Sequence, residues 1–202
     1  MGIRIIFATN NEGKMNEIST ILSDQGLPVF SMKEVGLELD IVEDGTTFEE
    51  NALIKAQAVA ARFPEDIILA DDSGIEVDYL DKAPGVYSAR FAGRDTPYEK
   101  KNQMIIDKLE GVPDIQRSAR FVCVIAAVFP DGTKKLTRGT IEGQIAYKIS
   151  GQGGFGYDPI FYVPKYGITT AEMSAELKNT LSHRGIALRE MKKVIDEKMK
   201  LK

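Results

Sequence analysis

Four stretches of this 202-residue chain carry residue types that handle phosphate groups, protons and flat rings. The first, Ala8-Thr9-Asn10-Asn11-Glu12-Gly13-Lys14, lies between a β-rich run and a helical one. Free backbone N–H groups at a helix start, the positive end of the helix dipole and a lysine make it a candidate anion cradle. It is not a Walker loop, which needs glycine in place of Ala8 and Ser or Thr in place of Met15. An ordinary strand-to-helix turn would use the same Asn and Gly residues for their backbone tolerance, so both readings stand.

The second stretch is acidic. Asp71, Asp72 and Ser73 follow the apolar run Ile67-Ile68-Leu69-Ala70, which places them at the expected carboxyl end of a buried strand, where open α/β sheets bind ligands. Glu43 and Asp44 stand in an upstream loop. Carboxylates gathered in this way repel unless a cation lies between them, and hard oxygen donors suit Mg²⁺ shared with substrate phosphates. Asp-Asp-Ser-Gly is otherwise a plain turn.

The third, Gly151-Gln152-Gly153-Gly154-Phe155-Gly156, formally matches the dinucleotide fingerprint. That motif needs a strand before it and a helix after it, and Pro159 and Pro164 forbid the helix. Glycines flanked by Phe155 and Tyr157 suit a flat ring stacked near the backbone. A glycine-rich turn with core aromatics is the alternative. In the fourth, Lys178-Asn179 precedes Ser182-His183-Arg184. Ser182 reads as an N-cap, which sets His183 and Arg184 in a first helical turn. Cations there oppose the helix dipole, and a polar or anionic ligand would account for them.

The elements that must position these residues alternate in the first half. Ile3 to Ala8 reads as a buried strand, and Gly13 to Asp24 as a helix with Met15, Ile18, Ile21 and Leu22 on one face. Thr47 with Glu50 forms a capping box before the stripe Leu53, Ala56, Val59, Ala60 and Phe63. Lys55 lies a helical turn beyond Asn51 and either faces the site or pairs with a carboxylate. A third helix opens at Thr96-Pro97-Tyr98-Glu99 and closes near Gly111. Arg120–Phe129 and Lys134–Thr140 flank Pro130-Asp131-Gly132-Thr133, a hairpin signal, and extended structure is expected to run through Gly143 to Val163. His183 to Lys200 reads as the last helix. The expected fold is α/β, a mixed central sheet with flanking helices, as one domain over residues 1–202 with two lobes around a substrate cleft and no linker.

Composition narrows the function. Lys and Arg number 26 against 30 Asp and Glu, a net charge of −4, which argues against a non-specific nucleic-acid binder. It leaves room for a small anion met by locally gathered cations. One Cys and one His exclude an internal disulfide framework and a Cys/His zinc site. Cys123, within Phe121-Val122-Cys123-Val124-Ile125, reads as a core residue, and Lys192, Lys193, Lys198, Lys200 and Lys202 as a solvated helix face. The run from Met1 to Phe7 lacks the pattern of a secretory leader, and no apolar run approaches the ~20 residues that span a bilayer. The expected location is the cytoplasm, away from membranes.

Together, Thr9-Asn10-Asn11 with Lys14, Thr47-Phe48-Glu49-Glu50-Asn51-Ala52, Ala70-Asp71-Asp72-Ser73-Gly74, Ala83-Pro84-Gly85-Val86-Tyr87-Ser88-Ala89-Arg90, Gly154-Phe155-Gly156-Tyr157-Asp158-Pro159 and Ser182-His183-Arg184 resemble, in order, the inosine triphosphate pyrophosphatase family. The resemblance covers nearly the whole chain, and the Asp-Asp-Ser-Gly form looks like the bacterial dITP/XTP branch. It implies cleavage of dITP, ITP and XTP between the α- and β-phosphates, a need for Mg²⁺ and a homodimer. It further implies that Asp72 accepts a proton, that Glu43 and Asp72 hold the metal, and that Thr9, Asn10, Asn11, Glu12, Gly13, Lys14 and Ser73 bind substrate. Phe155, Gly156, Tyr157, Asp158, Lys178, His183 and Arg184 would complete the pocket. A related pyrophosphatase of other base specificity, or a nucleotide sensor without turnover, remains an alternative.

Overall fold

Helices alternate with strands as far as Val77 in the computed structural model, which describes residues 2–23 and 26–200. Met1, Asp24 at the end of the first expected helix, and Lys202 lie outside the described residues. The order is β1 (Ile5–Phe7), α1 (Glu12–Leu22), β2 (Val29–Ser31), α2 (Phe48–Ala60), β3 (Ile67–Val77), α3 (Tyr98–Lys108), β4 (Ser118–Val128), β5 (Lys134–Ile145), β6 (Phe161–Val163), β7 (Ile168–Thr169), α4 (Ala175–Leu181) and α5 (His183–Lys200). The strands form one seven-stranded sheet in the order β2-β1-β3-β4-β5-β6-β7. β1 runs parallel to both neighbours, pairing Ile5 with Val29 and Ile67, and Phe7 with Ser31 and Leu69. β6 is antiparallel to β5 and to β7. The mixed α/β sheet read from the sequence is therefore the observed one.

Two compact units divide the chain, each drawn from separated stretches. The first takes Met1–Asp72, Cys123–Gly139 and His183–Lys202; the second takes Ser73–Val122 and Thr140–Ser182. In the first, period-two alternation sends Ile5 and Phe7 to the same face as Ile67 and Leu69, where Cys123, Ile125 and Ala127 join them. Ile18 and Leu22 of α1 and Ala187, Leu188, Met191 and Ile195 of α5 cover that face. The core of the second unit gathers Ile75 and Val77, Ile105 and Leu109 of α3, Phe121, and Ile160 and Phe161.

Three local expectations are corrected. β3 runs on to Val77, so Asp71-Asp72-Ser73-Gly74 is strand and not a turn at its end. The Thr96 hydroxyl donates to the Ala92 carbonyl instead of capping α3, whose N-cap position is taken by Pro97. Regular extension stops at Ile145 and resumes at Phe161, because the intervening glycines turn through left-handed backbone at Gly151, Gly154 and Gly156. The α2 capping box and the α5 bounds agree with the sequence reading. Lys198 is less free than a solvated face implies, since its Nζ lies 2.5 Å from Asp131 Oδ2 in the hairpin turn.

Cys123 is fully buried, and burial pushes its thiol up to about 12 from an ordinary 9.0. A raised acid group stabilises the fold below its unfolded pKa and loses that contribution as pH rises toward the folded value. Two outcomes are expected. A thiol reagent at pH 8 labels Cys123 only at the rate of unfolding, and Cys123→Ala flattens the decline in stability between pH 9 and 11, read by urea titration.

Candidate functional site

β1 ends where the anion loop begins. The amide of Ala8 donates to Leu69 O at 2.7 Å, and the chain then leaves the ladder. Thr9 Oγ1 accepts from the Asn11 amide at 3.2 Å, and Asn11 caps α1 by accepting from the Lys14 amide at 3.0 Å. Thr9 is buried while Asn10, Asn11 and Glu12 are exposed, so the loop's polar groups meet solvent at the amino end of α1. That is the arrangement of an anion site.

Lys14, in the first turn of α1, reaches back to β3. Its Nζ lies 3.0 Å from Asp71 Oδ1 and 2.9 Å from Oδ2. Arg184, in the first turn of α5, sets Nη2 3.2 Å from Asp71 Oδ2 and pairs Nη1 with Glu17 of α1. The Asp71 and Arg184 side chains are only 1% and 2% exposed. Burial alone would raise the Asp71 carboxyl, but Lys14, Arg184 and Lys55 outweigh it and hold it well below the usual carboxylate range. Arg184 thus has carboxylate partners, which accounts for a cation at a helix start without a ligand. Gly139 of β5 permits this placement, since a Cβ there would collide with the His183 carbonyl.

Consecutive strand residues point to opposite faces, so Asp72 departs from Asp71. Its Oδ1 lies 3.5 Å from Lys55 Nζ, which also sits 2.7 Å from Glu43 Oε2. Burial, reinforced by Glu43 and Asp71, pushes the Asp72 carboxyl up against the pull of Lys55 and Lys14. Asp72 Oδ2 is buried with no hydrogen-bond partner among the described residues. The loop carrying Glu43 is fastened to α2, where Asn51 Oδ1 accepts from the Gly45 amide at 2.9 Å and Glu50 Oε2 accepts from the Thr46 amide at 2.7 Å. Lys55 therefore faces the carboxylates. No group of three or more His, Cys, Asp or Glu among the described residues would cage a metal. The chemistry available to a divalent cation is two carboxylates, one with an orphaned oxygen, plus whatever oxygens a ligand brings. That fits Mg²⁺ bound jointly by protein and phosphate.

The glycine run belongs to the second unit and is organised around Asp158. Asp158 Oδ2 accepts from Lys178 Nζ at 2.7 Å and from the Phe155 amide at 2.8 Å, and Thr170 Oγ1 donates to Oδ1 at 2.8 Å. A Cβ on Gly154 would collide with that carboxylate. The Lys178 ammonium also lies 4.8 Å from the Phe155 ring centroid. Tyr157 is buried and donates its hydroxyl to Ser88 O at 2.7 Å. Ser73 is half-buried on β3 directly after Asp72. Of the expected site residues, Thr9 to Lys14, Glu43, Asp72, His183 and Arg184 fall in the first unit, and Ser73, Phe155 to Asp158 and Lys178 in the second. The sequence reading leaves Lys55 undecided and omits Glu17. The spacing of Glu17 from Lys14, one turn along α1, was its only signal.

These features define an α/β protein with a polar loop at a helix amino terminus beside an acidic strand. The chain belongs to the Ham1 family, whose model matches residues 5–194. A dITP/XTP pyrophosphatase of Leuconostoc mesenteroides is 49% identical over 95% of this chain and 96% of its own length. One from Desulforamulus reducens is 47% identical over 96% of each chain. A solved Ham1 protein from Coxiella burnetii superimposes with a TM-score of 0.87 at 39% identity, covering 97% of this chain and 100% of its own.

Removing the charge of Asp71 leaves two cations facing each other without their shared carboxylate. Asp71→Asn is expected to destabilise the protein by about 3–5 kcal/mol at pH 7, read by urea denaturation. A loss below ~1 kcal/mol would show that the cluster is solvated as a surface pair is.

Proposed function

We propose that this chain is a Mg²⁺-dependent pyrophosphatase for purine nucleoside triphosphates outside the standard set, namely dITP, ITP and XTP. It releases the nucleoside monophosphate and pyrophosphate, and so cleanses the nucleotide pool. It acts as a cytoplasmic homodimer on free nucleotides, without nucleic acid or membrane. Membership of the Ham1 family and the names of the pyrophosphatases it resembles support the substrate class. Among the described residues no helix is long and apolar enough to cross a membrane. The observation that carries the mechanism is the orphaned, buried oxygen of Asp72 beside the Lys55–Glu43 pair.

Two adjacent carboxylates with opposite environments have opposite duties. Asp71 is held ionised and neutralises Lys14 and Arg184. Asp72 carries the raised pKa of a proton acceptor. A nucleoside triphosphate bears about four negative charges at neutral pH. Thr9 to Lys14 with Ser73 meet the phosphates, chiefly through the loop amides at the amino end of α1, while the Lys14 and Arg184 side chains hold Asp71. Glu43 and Asp72 would hold Mg²⁺, which when bound supplies charge neutralisation on the phosphates and a more acidic water. Asp72 takes the proton of a water whose oxygen bonds to the α-phosphorus. The bond from that phosphorus to the bridging oxygen breaks, and pyrophosphate leaves with the electron pair. Lys55 keeps the Asp72 carboxylate oriented. Phe155 offers a ring face to the base while the buried Tyr157 supports that turn from within the core, and His183 donates to the keto oxygen at C6 of hypoxanthine or xanthine, which adenine lacks.

Pyrophosphate release from ITP, XTP, dATP, GTP and dTTP, with and without Mg²⁺, tests this reading. Rapid release from ITP and XTP in Mg²⁺ alone is expected, whereas binding of ITP without release would identify a sensor. Asp72→Asn is expected to lower kcat by about 10²–10⁴-fold while leaving ITP affinity within a few-fold. Near wild-type turnover in that variant would remove Asp72 from the role. His183→Ala is expected to narrow the preference for ITP over ATP, compared as a kcat/KM ratio; an unchanged ratio would free His183 from base reading.

A further inference from the structure

Helix α3 contributes nothing to the chemistry described above, yet it buries two polar side chains, Lys101 and Asn102, and the second lies behind the Phe155–Asp158 turn. Asn102 is 2% exposed and occupies a mid-helix position, where Asn is a poor helix former. Its Nδ2 donates to the Gly156 carbonyl at 3.1 Å, while its Oδ1 is buried with no partner among the described residues. Leaving a buried acceptor unsatisfied costs free energy that a leucine of similar size would avoid. The bond to Gly156 must therefore be what Asn102 is kept for.

The turn itself shows why that bond matters. Phe155 is pinned by its amide to Asp158. Tyr157 is pinned by its hydroxyl to Ser88 O and by an edge-on contact with Tyr98 at 5.3 Å. Between them, Gly156 has φ of +68°, and without a side chain its peptide plane has the widest choice of orientations. Asn102 removes that freedom. Its neighbour Lys101, also buried, donates Nζ to Ala89 O at 2.7 Å, so adjacent α3 residues fasten two separate turns.

We propose that Asn102 is a specificity-determining positioning residue, which fixes the Gly156 peptide and with it the Phe155 ring wall that selects the base. This rests on the assignment of Phe155 to the base. The residue acts through the turn and touches no reacting atom.

Asn102→Leu keeps the volume and removes both the bond and the orphaned acceptor. Asn102→Asp keeps the shape but loses the donor. In both, the kcat/KM preference for ITP over GTP is expected to fall about tenfold, through a higher KM for ITP at little-changed kcat. Tm of Asn102→Leu should stay near that of the wild type, which a merely structural role would not allow. Should Asn102→Leu fail to fold, Asn102→Ser, too short to reach Gly156, is read in its place. Wild-type preference in folded variants would overturn the proposal. If the wild type itself releases no pyrophosphate, the enzymatic reading fails instead, and the ITP-to-GTP ratio of binding constants by calorimetry still decides the role of Asn102.

Discussion

A carboxylate buried in the middle of a strand is stable only if cations reach it, and Asp71 receives one from α1 and one from α5. Lys14 engages both of its oxygens, and Arg184 joins it to Glu17. Taking an unpaired carboxylate out of water costs several kcal/mol, so this cluster is what lets β3 continue through Asp-Asp-Ser-Gly as strand. The same cluster ties the start of α1 and the start of α5 to the sheet. The Thr9–Lys14 loop, the paired aspartates Asp71 and Asp72 and the only histidine are thereby given places within one unit.

Strand geometry then divides the labour. Because neighbours on a strand face opposite ways, two consecutive aspartates sample two environments within 4 Å of chain. Asp71 lies among cations and stays ionised, whereas Asp72 lies beside Glu43 and Lys55 and keeps an oxygen unpaired. One is an anchor and the other is the proton acceptor proposed above. In the second unit Asp158 does for the ring-bearing turn what Asp71 does for the loop, gathering Lys178, Thr170 and the Phe155 amide.

Much of this was legible in the residues. Capping at Thr47 and the stripe of α5 are local patterns, and the helices begin where those patterns place them. Candidate site residues are recognisable by type and order along the chain. Their grouping was not, because Asp71 pairs with residues 57 and 113 positions away, which no periodicity records. For that reason the sequence ends the expected strand near Ala70, with a turn at Asp-Asp-Ser-Gly only as the alternative, whereas β3 runs on to Val77. β2, β7 and α4 span three, two and seven residues, too few to show a period. The glycine run was read for ring access, while the structure shows steric demands from the Asp158 carboxylate and the backbone of Ala171.

The central claim is that Asp72 directs water onto the α-phosphorus of an inosine nucleotide while the cluster around Asp71 secures the anion loop. Turnover of ITP in ¹⁸O-labelled water, followed by phosphorus NMR of the products, tests it most directly. The account predicts a single labelled oxygen in the inosine monophosphate and unlabelled pyrophosphate. Label in the pyrophosphate, or release of orthophosphate with the diphosphate left behind, would contradict it.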